Sequence, residues 1–307
     1  MRSTPSFPAP SPPPPRNIVS FPQPLLMGVV NATPDSFYAG SRALSSDEVV
    51  RRGLELAEEG ADWLDIGGES TRPGSDPVSM EEECRRILPA IEGLARRCGV
   101  PVSVDTSKAT VARRARDAGA TILNDISALR SDPEMPQAAL GFNKVILMHM
   151  QGIPKTMQED PRYGNVVRDI LGFFRDRLQA FERAGGDASK VWLDPGIGFG
   201  KDLEHNLDIL HRLEELRSSG RPLVLGVSRK SFLGRLLGSS GSPLSPEDRL
   251  EGSLAAACRA AQAGVEVLRV HDVRATKRAL VVFSATLASS LPSRADSVAL
   301  ARRAGRA

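Results

Sequence analysis

The sequence predicts an α/β fold of the (β/α)8 barrel type, one closed parallel sheet ringed by helices. Eight short runs rich in leucine and β-branched residues are spread between residues 25 and 290. Each run gives way to polar residues, a loop and a segment of helical periodicity, and strands alternating with helices make parallel βαβ units. Eight units are the number that closes a barrel. The alternative, a doubly wound open sheet, lacks the glycine fingerprint that accompanies dinucleotide binding in that fold.

In chain order the predicted strands are Leu25–Val30, Trp63–Ile66, Val102–Val104, Thr121–Leu123, Lys144–Met148, Val191–Leu193, Pro222–Gly226 and Glu266–Val270. Most are near-continuously apolar, the pattern of a parallel sheet covered by helices. Ser45-x-x-Glu48 and Ser79-x-x-Glu82 read as capping boxes ahead of helices over Val49–Glu59 and Glu83–Arg97. Further helices are predicted over 108–118, 165–184, 203–218, 247–263 and 273–289, with a short one near 134–140.

The 307 residues are 41% hydrophobic and 25% charged, a globular balance that excludes collagen-like, wholly disordered and disulfide-framework classes. Aromatic residues, at 5%, are too sparse for a base-stacking nucleic-acid platform. Residues 25–290 read as one domain. Residues 1–24 hold nine prolines, which forbid an amphipathic helix, and read as a disordered extension; residues 291–307 form a basic tail. The positive charge sits at these ends: Arg2 and Arg16 with no acid in the first, Arg294, Arg302, Arg303 and Arg306 against Asp296 in the second. The pI of 8.9 therefore implies neither a nucleic acid nor a membrane as partner. Cys84, Cys98 and Cys258 form no C-x-x-C pair, as expected of reduced thiols in the cytoplasm. No apolar stretch approaches the ~20 residues of a spanning helix.

The strand ends are the informative part. In order they carry Asn31, Asp65, Asp105, Asn124 with Asp125, His149, Asp194, Ser228 with Lys230, and Arg269 with His271. In a barrel these positions open onto one face, where active sites sit. Any single Asp or Asn here could be a helix cap or turn residue; the set together reads as an enzyme rim. Asp105, Asn124 and Asp194 offer acceptors and one donor–acceptor amide, an inventory suited to a flat heterocycle such as a pterin or a guanine-like ring. Two acids alone could point to glycoside hydrolysis, but Asn124 and Lys230 would then have no role. Lys230, Arg269 and His271 bring two firm positive charges and one conditional charge, implying phosphate or pyrophosphate.

Asp194-Pro-Gly-Ile-Gly-Phe-Gly-Lys-Asp202 fails both phosphate-loop patterns and reads as a tight strand-to-helix loop, with Phe199 either an aromatic wall or a core residue. The segments 31–40 and 67–75 are rich in Gly, Pro and hydroxyls and include Asp35 and Arg72, a composition suited to lids over the barrel mouth. His205 and His211, six apart on a predicted helix, miss the spacing of a helical metal pair and read as solvent-facing. Neither a zinc site nor a serine-hydrolase elbow is present.

Eight ordered motifs carry a resemblance. They are Met27-Gly-Val-Val-Asn-Ala-Thr-Pro-Asp-Ser-Phe37, Asp65-Ile-Gly-Gly-Glu-Ser-Thr-Arg-Pro-Gly74, Ser103-Val-Asp-Thr106, Asn124-Asp-Ile126, Met148-His-Met-Gln-Gly152, Asp194-Pro-Gly-Ile-Gly-Phe199, Ser228-Arg-Lys-Ser-Phe232 and Arg269-Val-His-Asp272. From about Leu25 to Leu280 the chain resembles the dihydropteroate synthases of folate biosynthesis. Tyr38-Ala39 departs from the smaller or more polar residues common there, and neither tail has a counterpart.

The resemblance implies a transferase that joins 6-hydroxymethyl-7,8-dihydropterin pyrophosphate to p-aminobenzoate. By position, Asp105, Asn124, Asp194 and Lys230 would hold the pterin, with Met148 and Phe199 lining its slot. Asn31, Arg269 and His271 would hold the pyrophosphate, Asn31 through Mg²⁺. Thr71, Arg72, Pro73 and Ser231 would contact p-aminobenzoate, with Asp35 ordering the loops. A stand-alone enzyme, a homodimer through the later helices and a sulfonamide target are further expectations. The rival readings are a corrinoid-dependent methyltetrahydrofolate methyltransferase, which the Thr71–Gly74 and Ser228–Lys230 segments disfavour, and a catalytically silent pterin-binding paralogue, which intact Asn31, Asp105, Asp194, Lys230 and Arg269 disfavour.

Overall fold

The structure, a computed structural model, describes residues 23–33, 46–70, 75–239 and 241–287. The tails expected at 1–24 and 291–307 lie outside the described residues, apart from Gln23 and Pro24, as do Ser45, Asp35, Thr71, Arg72 and Pro73.

Eight parallel strands form the barrel: β1 (Leu25–Asn31), β2 (Trp63–Gly67), β3 (Val102–Asp105), β4 (Ile122–Asp125), β5 (Lys144–Met148), β6 (Val191–Asp194), β7 (Val224–Leu225) and β8 (Val267–Val270). Consecutive strands pair from β1 to β6, β8 pairs with both β1 and β7, and a parallel bridge between Leu193 and Leu223 closes the ring. β7 is shorter than its sequence suggests, because Pro222 has no N–H to donate and Gly226 has already left the ladder.

The helices are α1 (Ser46–Glu58), α2 (Met80–Arg97), α3 (Ala109–Asp117), α4 (Met135–Ala139), α5 (Val166–Arg183), α6 (Leu203–His211), α7 (Leu213–Leu216), α8 (Ser231–Leu237), α9 (Leu250–Gln262) and α10 (Val273–Leu287). Ser79 caps α2 as expected, accepting from Glu82 N at 3.2 Å, but the box is not reciprocal: the Glu82 carboxylate takes Arg85 and Arg86 instead. The helix expected over 203–218 breaks at Arg212 into α6 and α7, and α8 was not anticipated at all.

Strand side chains alternate between the helix layer and the barrel interior. Outward residues such as Leu26, Leu64, Val104, Leu123 and Leu147 pack against the helices in the main core. Inward residues fill the lower barrel with Met27, Trp63, Ile122, Ile146, Val224 and Val267. Trp63 and Trp192 meet edge to face there, ring centroids 5.1 Å apart, with the Lys144 ammonium against both rings. Two residues further along the same strands the next inward layer is mostly polar: Asp65 above Trp63, Asn124 above Ile122, Asp194 above Trp192 and Arg269 above Val267. The apolar plug is thus the floor of the site.

Candidate active site

A narrow slot opens directly above this plug, lined by Asp105, Asn124, Met148, Asp194, Phe199, Lys230 and Arg269, with Ile126, Gly196, Ile197 and Gly226 filling the gaps. Six separate strand ends deliver these groups, as the rim reading required. At Gly226 the missing side chain leaves room where Val224, two residues below, still plugs the barrel.

The charges in the slot are not independent. Arg269 donates from Nε to Asp65 Oδ2 at 2.6 Å and from Nη2 to Asp105 Oδ2 at 2.9 Å. Burial, reinforced by the neighbouring Asp65 charge and only partly offset by Arg269, pushes the Asp105 carboxyl up to about 7. Burial also raises Asp194, whose Oδ1 accepts from Gly196 N at 2.7 Å. Phe199 lines the slot and also packs against the small apolar cluster of Ile126, Met148, Met150 and Met157; the Lys230 ammonium sits 4.2 Å from its ring centroid, and burial brings the Lys230 pKa down to about 8.

His271 is the conditional charge of the three. Burial, then the nearby Arg269 charge, lowers it to about 3, so it is a neutral imidazole and brings no charge. Ser228 Oγ accepts from the His271 backbone N–H at 3.2 Å and lies 3.1 Å from Nδ1. The direction of that contact follows the ring tautomer: a proton on Nε2 leaves Nδ1 to accept from the Ser228 hydroxyl. Asn31 ends β1 beside Gly67, half-buried at the mouth. Ser231 is exposed at the start of α8. Among the described residues no three His, Cys, Asp or Glu side chains gather as a metal site.

Residues 27–271 match the family described as pterin binding enzyme. The chain is 45% identical over 266 residues to the dihydropteroate synthase of Escherichia coli (strain K12), covering 87% of this chain and 93% of that protein. The chain belongs to the dihydropteroate synthase family.

Two solved members of that family share its architecture. Xanthomonas albilineans dihydropteroate synthase with 4-aminobenzoic acid superposes with a TM-score of 0.80 at 45% identity, covering 87% of this chain and 94% of that one. The same enzyme in complex with 7,8-dihydropteroate gives 0.78 at 42% identity, covering 89% and 97%.

Within this family member not every polar strand end belongs to the slot. Asp125 and His149 follow slot residues by one position and so leave the barrel interior. Asp125 accepts from Ser127 N at 2.7 Å and Leu129 N at 2.8 Å, holding a turn in which Ala128 and Leu129 take positive φ. His149 lies against Phe173 and Tyr163. His205, expected to face solvent, is half-buried: it caps α6 with Asp202 and packs on Tyr163 at 4.8 Å, whereas His211 is exposed.

Lys201, which no sequence pattern marks, is buried and donates to the carbonyls of Gly196 and Phe199 at 3.0 Å each, shaping the glycine loop from inside. The same loop is held by Tyr163 OH on Gly200 O and by Asn206 Oδ1 on Gly198 N, both at 2.7 Å. Gly196 has φ +68°, and a Cβ there would lie 2.0 Å from His149 O, so the close approach requires glycine. A second feature is a cavity of about 520 Å³ beside the slot, sharing Asp105 and Ile126 with it and bordered by Glu69, Thr106, Ser127, Arg130 and Met150. Its wall rests on Lys108, which is ion-paired with Glu69 and with buried Glu83.

Proposed function

We propose that this chain condenses 6-hydroxymethyl-7,8-dihydropterin pyrophosphate with p-aminobenzoate, yielding 7,8-dihydropteroate and pyrophosphate. The observation that carries the reading is the ring of Asp105, Asn124, Asp194 and Lys230 around one narrow slot, with Arg269 beside it. A flat ring that presents an amino group and ring N–H groups on one edge meets carboxylate acceptors there, and its carbonyl oxygen meets the Lys230 ammonium. Met148 and Phe199 cover its faces.

The pyrophosphate then lies toward Asn31, Arg269 and His271. Arg269 supplies charge; neutral His271 supplies a hydrogen bond from Nε2. Asn31 offers one amide oxygen, which fits Mg²⁺, an ion that takes few protein ligands and completes its octahedron with water and phosphate oxygens. When bound, Mg²⁺ would supply positive charge to the leaving group. The C–O bond breaks first and its electron pair departs with pyrophosphate, because the electron-rich dihydropterin spreads the positive charge of the methylene while Asp105 and Asp194 favour the cationic ring. The neutral amine of p-aminobenzoate attacks, the C–N bond forms, and the new ammonium releases a proton to solvent. Thr71, Arg72, Pro73 and Ser231 are proposed to receive p-aminobenzoate, with Asp35 ordering the loops over it.

A homodimer and a cytoplasmic setting belong to the same proposal. Exposed Leu236 and Leu237 on α8 favour the first, and three free cysteines favour the second. No helix of the described residues is long and apolar enough to cross a membrane.

The test is pyrophosphate release by the purified chain given dihydropterin pyrophosphate, p-aminobenzoate and Mg²⁺. Release that requires p-aminobenzoate and yields dihydropteroate is expected. Tight binding of dihydropterin pyrophosphate without turnover would establish a silent paralogue instead.

A further inference from the structure

Asp65 is fully buried, lines neither the slot nor the cavity beside it, and yet touches two residues of the slot. Its Oδ2 accepts from Arg269 Nε at 2.6 Å and from Asn124 Nδ2 at 3.0 Å. Its Oδ1, also buried, has no hydrogen-bond partner among the described residues. A carboxylate at this depth with one oxygen unpaired is a poor choice for stability, since a well-packed apolar residue would serve the barrel as well or better. Trp63, two residues below on the same strand, shows that the interior accepts a large apolar side chain.

We propose that Asp65 is a positioning residue, using a single carboxylate oxygen to aim the Arg269 guanidinium and to orient the Asn124 amide before substrate arrives. Its contact with Arg269 is shorter than the one Arg269 makes to Asp105, 2.6 Å against 2.9 Å. Asp65 and Asp105 thus share the guanidinium, each through its Oδ2. Without Asp65, Nε would lose its acceptor and the guanidinium would turn to take both oxygens of Asp105, one of which the pterin ring needs. By taking the Asn124 N–H, Asp65 also decides which end of that amide is left to the slot. The Arg269 Nη1 hydrogens remain for the anion.

This inference rests on the dihydropterin pyrophosphate reading of the slot, so wild-type turnover and substrate affinity are measured alongside the variants. Asp65→Asn keeps the shape and removes the charge. Losing a charge-assisted hydrogen bond corresponds to about a ten- to hundredfold rise in the KM for dihydropterin pyrophosphate, while the KM for p-aminobenzoate stays within about twofold. The affinity for dihydropterin pyrophosphate alone, read by calorimetry, falls by the same factor. The acid limb of the pH profile also moves to lower pH. Asp105 faces Asp65 from β2, Arg269 from β8, Asp125 from β4, Glu83 from α2 and Lys230 beyond β7, and the substitution removes one negative neighbour from that set.

Asp65→Glu keeps the charge but displaces the oxygen, so the KM rises comparably while the limb stays in place. This variant decides the matter should Asp65→Asn not fold. A folded variant of either kind with wild-type pterin KM and an unmoved limb overturns the positioning role. A wild-type chain that neither binds nor turns over dihydropterin pyrophosphate strikes the underlying function instead, and the two failures are told apart by that control.

Discussion

Lys201 Nζ lies 3.0 Å from His149 Nδ1, so two basic groups meet in a place that excludes water. Only one of them can carry a proton at the contact. Burial, then the Lys201 charge, drives His149 down to about 2, leaving a neutral acceptor, while burial brings Lys201 down to about 7. Removing this lysine strands the acceptors His149 Nδ1, Gly196 O and Phe199 O together. Lys201→Met is therefore expected to cost about 3 kcal/mol of stability and to raise the pterin KM through a relaxed Phe199. Urea unfolding checks the first and initial rates the second; an unchanged midpoint would show that the loop holds its shape without the ammonium.

Lys230 shares its place with Phe199 and faces Asp194. Lys230→Ala removes an ammonium from the slot lining and leaves the Asp194 charge without it, so kcat/KM for dihydropterin pyrophosphate should fall about a hundredfold or more. Near-normal kinetics would remove Lys230 from the site.

The pH dependence follows from two raised or lowered groups. In the proposed pose Asp105 must be ionised to accept from the ring, and it releases its proton at about 7. Lys230 must be protonated to donate, and it loses its proton at about 8. Pterin affinity should thus peak between about 7 and 8 and decline on both sides, with Asp105→Asn abolishing the acid limb. The stability of the ligand-free chain runs the other way for Asp105. Its carboxyl is raised from 3.8, so its contribution is full at low pH and is lost as pH rises through about 7. Binding and melting curves collected on one pH series separate the two effects.

Ser228→Ala removes the hydroxyl partner of His271 Nδ1, which in the proposed pose keeps the ring proton on Nε2. The imidazole then samples both tautomers, and turnover should fall about tenfold with little change in the pterin KM. Nitrogen chemical shifts of His271 report the tautomer directly; a mixed population in the wild type would contradict this account.

Sulfanilamide carries an arylamine opposite an acidic group, as p-aminobenzoate does. Competitive inhibition against p-aminobenzoate and no competition against dihydropterin pyrophosphate are expected. Inhibition that persists at any p-aminobenzoate concentration would place the drug elsewhere.

Strand positions were readable because burial on both faces makes each strand a compact apolar word, and β5 was predicted to the residue. What the sequence obscured was direction. Asn124 and Asp125 look alike as letters, yet a one-residue offset turns the first into the slot and the second into the loop behind it. Counting in twos from Trp63, Ile122, Trp192 and Val267 would have separated them and would have drawn Asp65 into the inner layer. Lys201 left no such trace, since nothing in a glycine-rich loop tells a charged residue to fold inward. α8 escaped because seven residues are too few for a helical period to declare itself.

The junction of β6 and β7 has a consequence for how this barrel moves. Among the described residues, those two edges are joined by a single bridge, Leu193 to Leu223, to which the bond from Leu193 N to Pro222 O belongs. Asp194 stands on one lip of that seam and Lys230 beyond the other. A pterin held by both, as proposed, would act as a clasp across the weakest stitch of the cylinder. The empty protein should breathe at this seam, exchanging the amides of Leu193 and Leu225 faster than those of β2 and β3. The loaded one should be sewn shut, so that occupancy of the slot is felt in the hydrogen bonds of the wall beneath it.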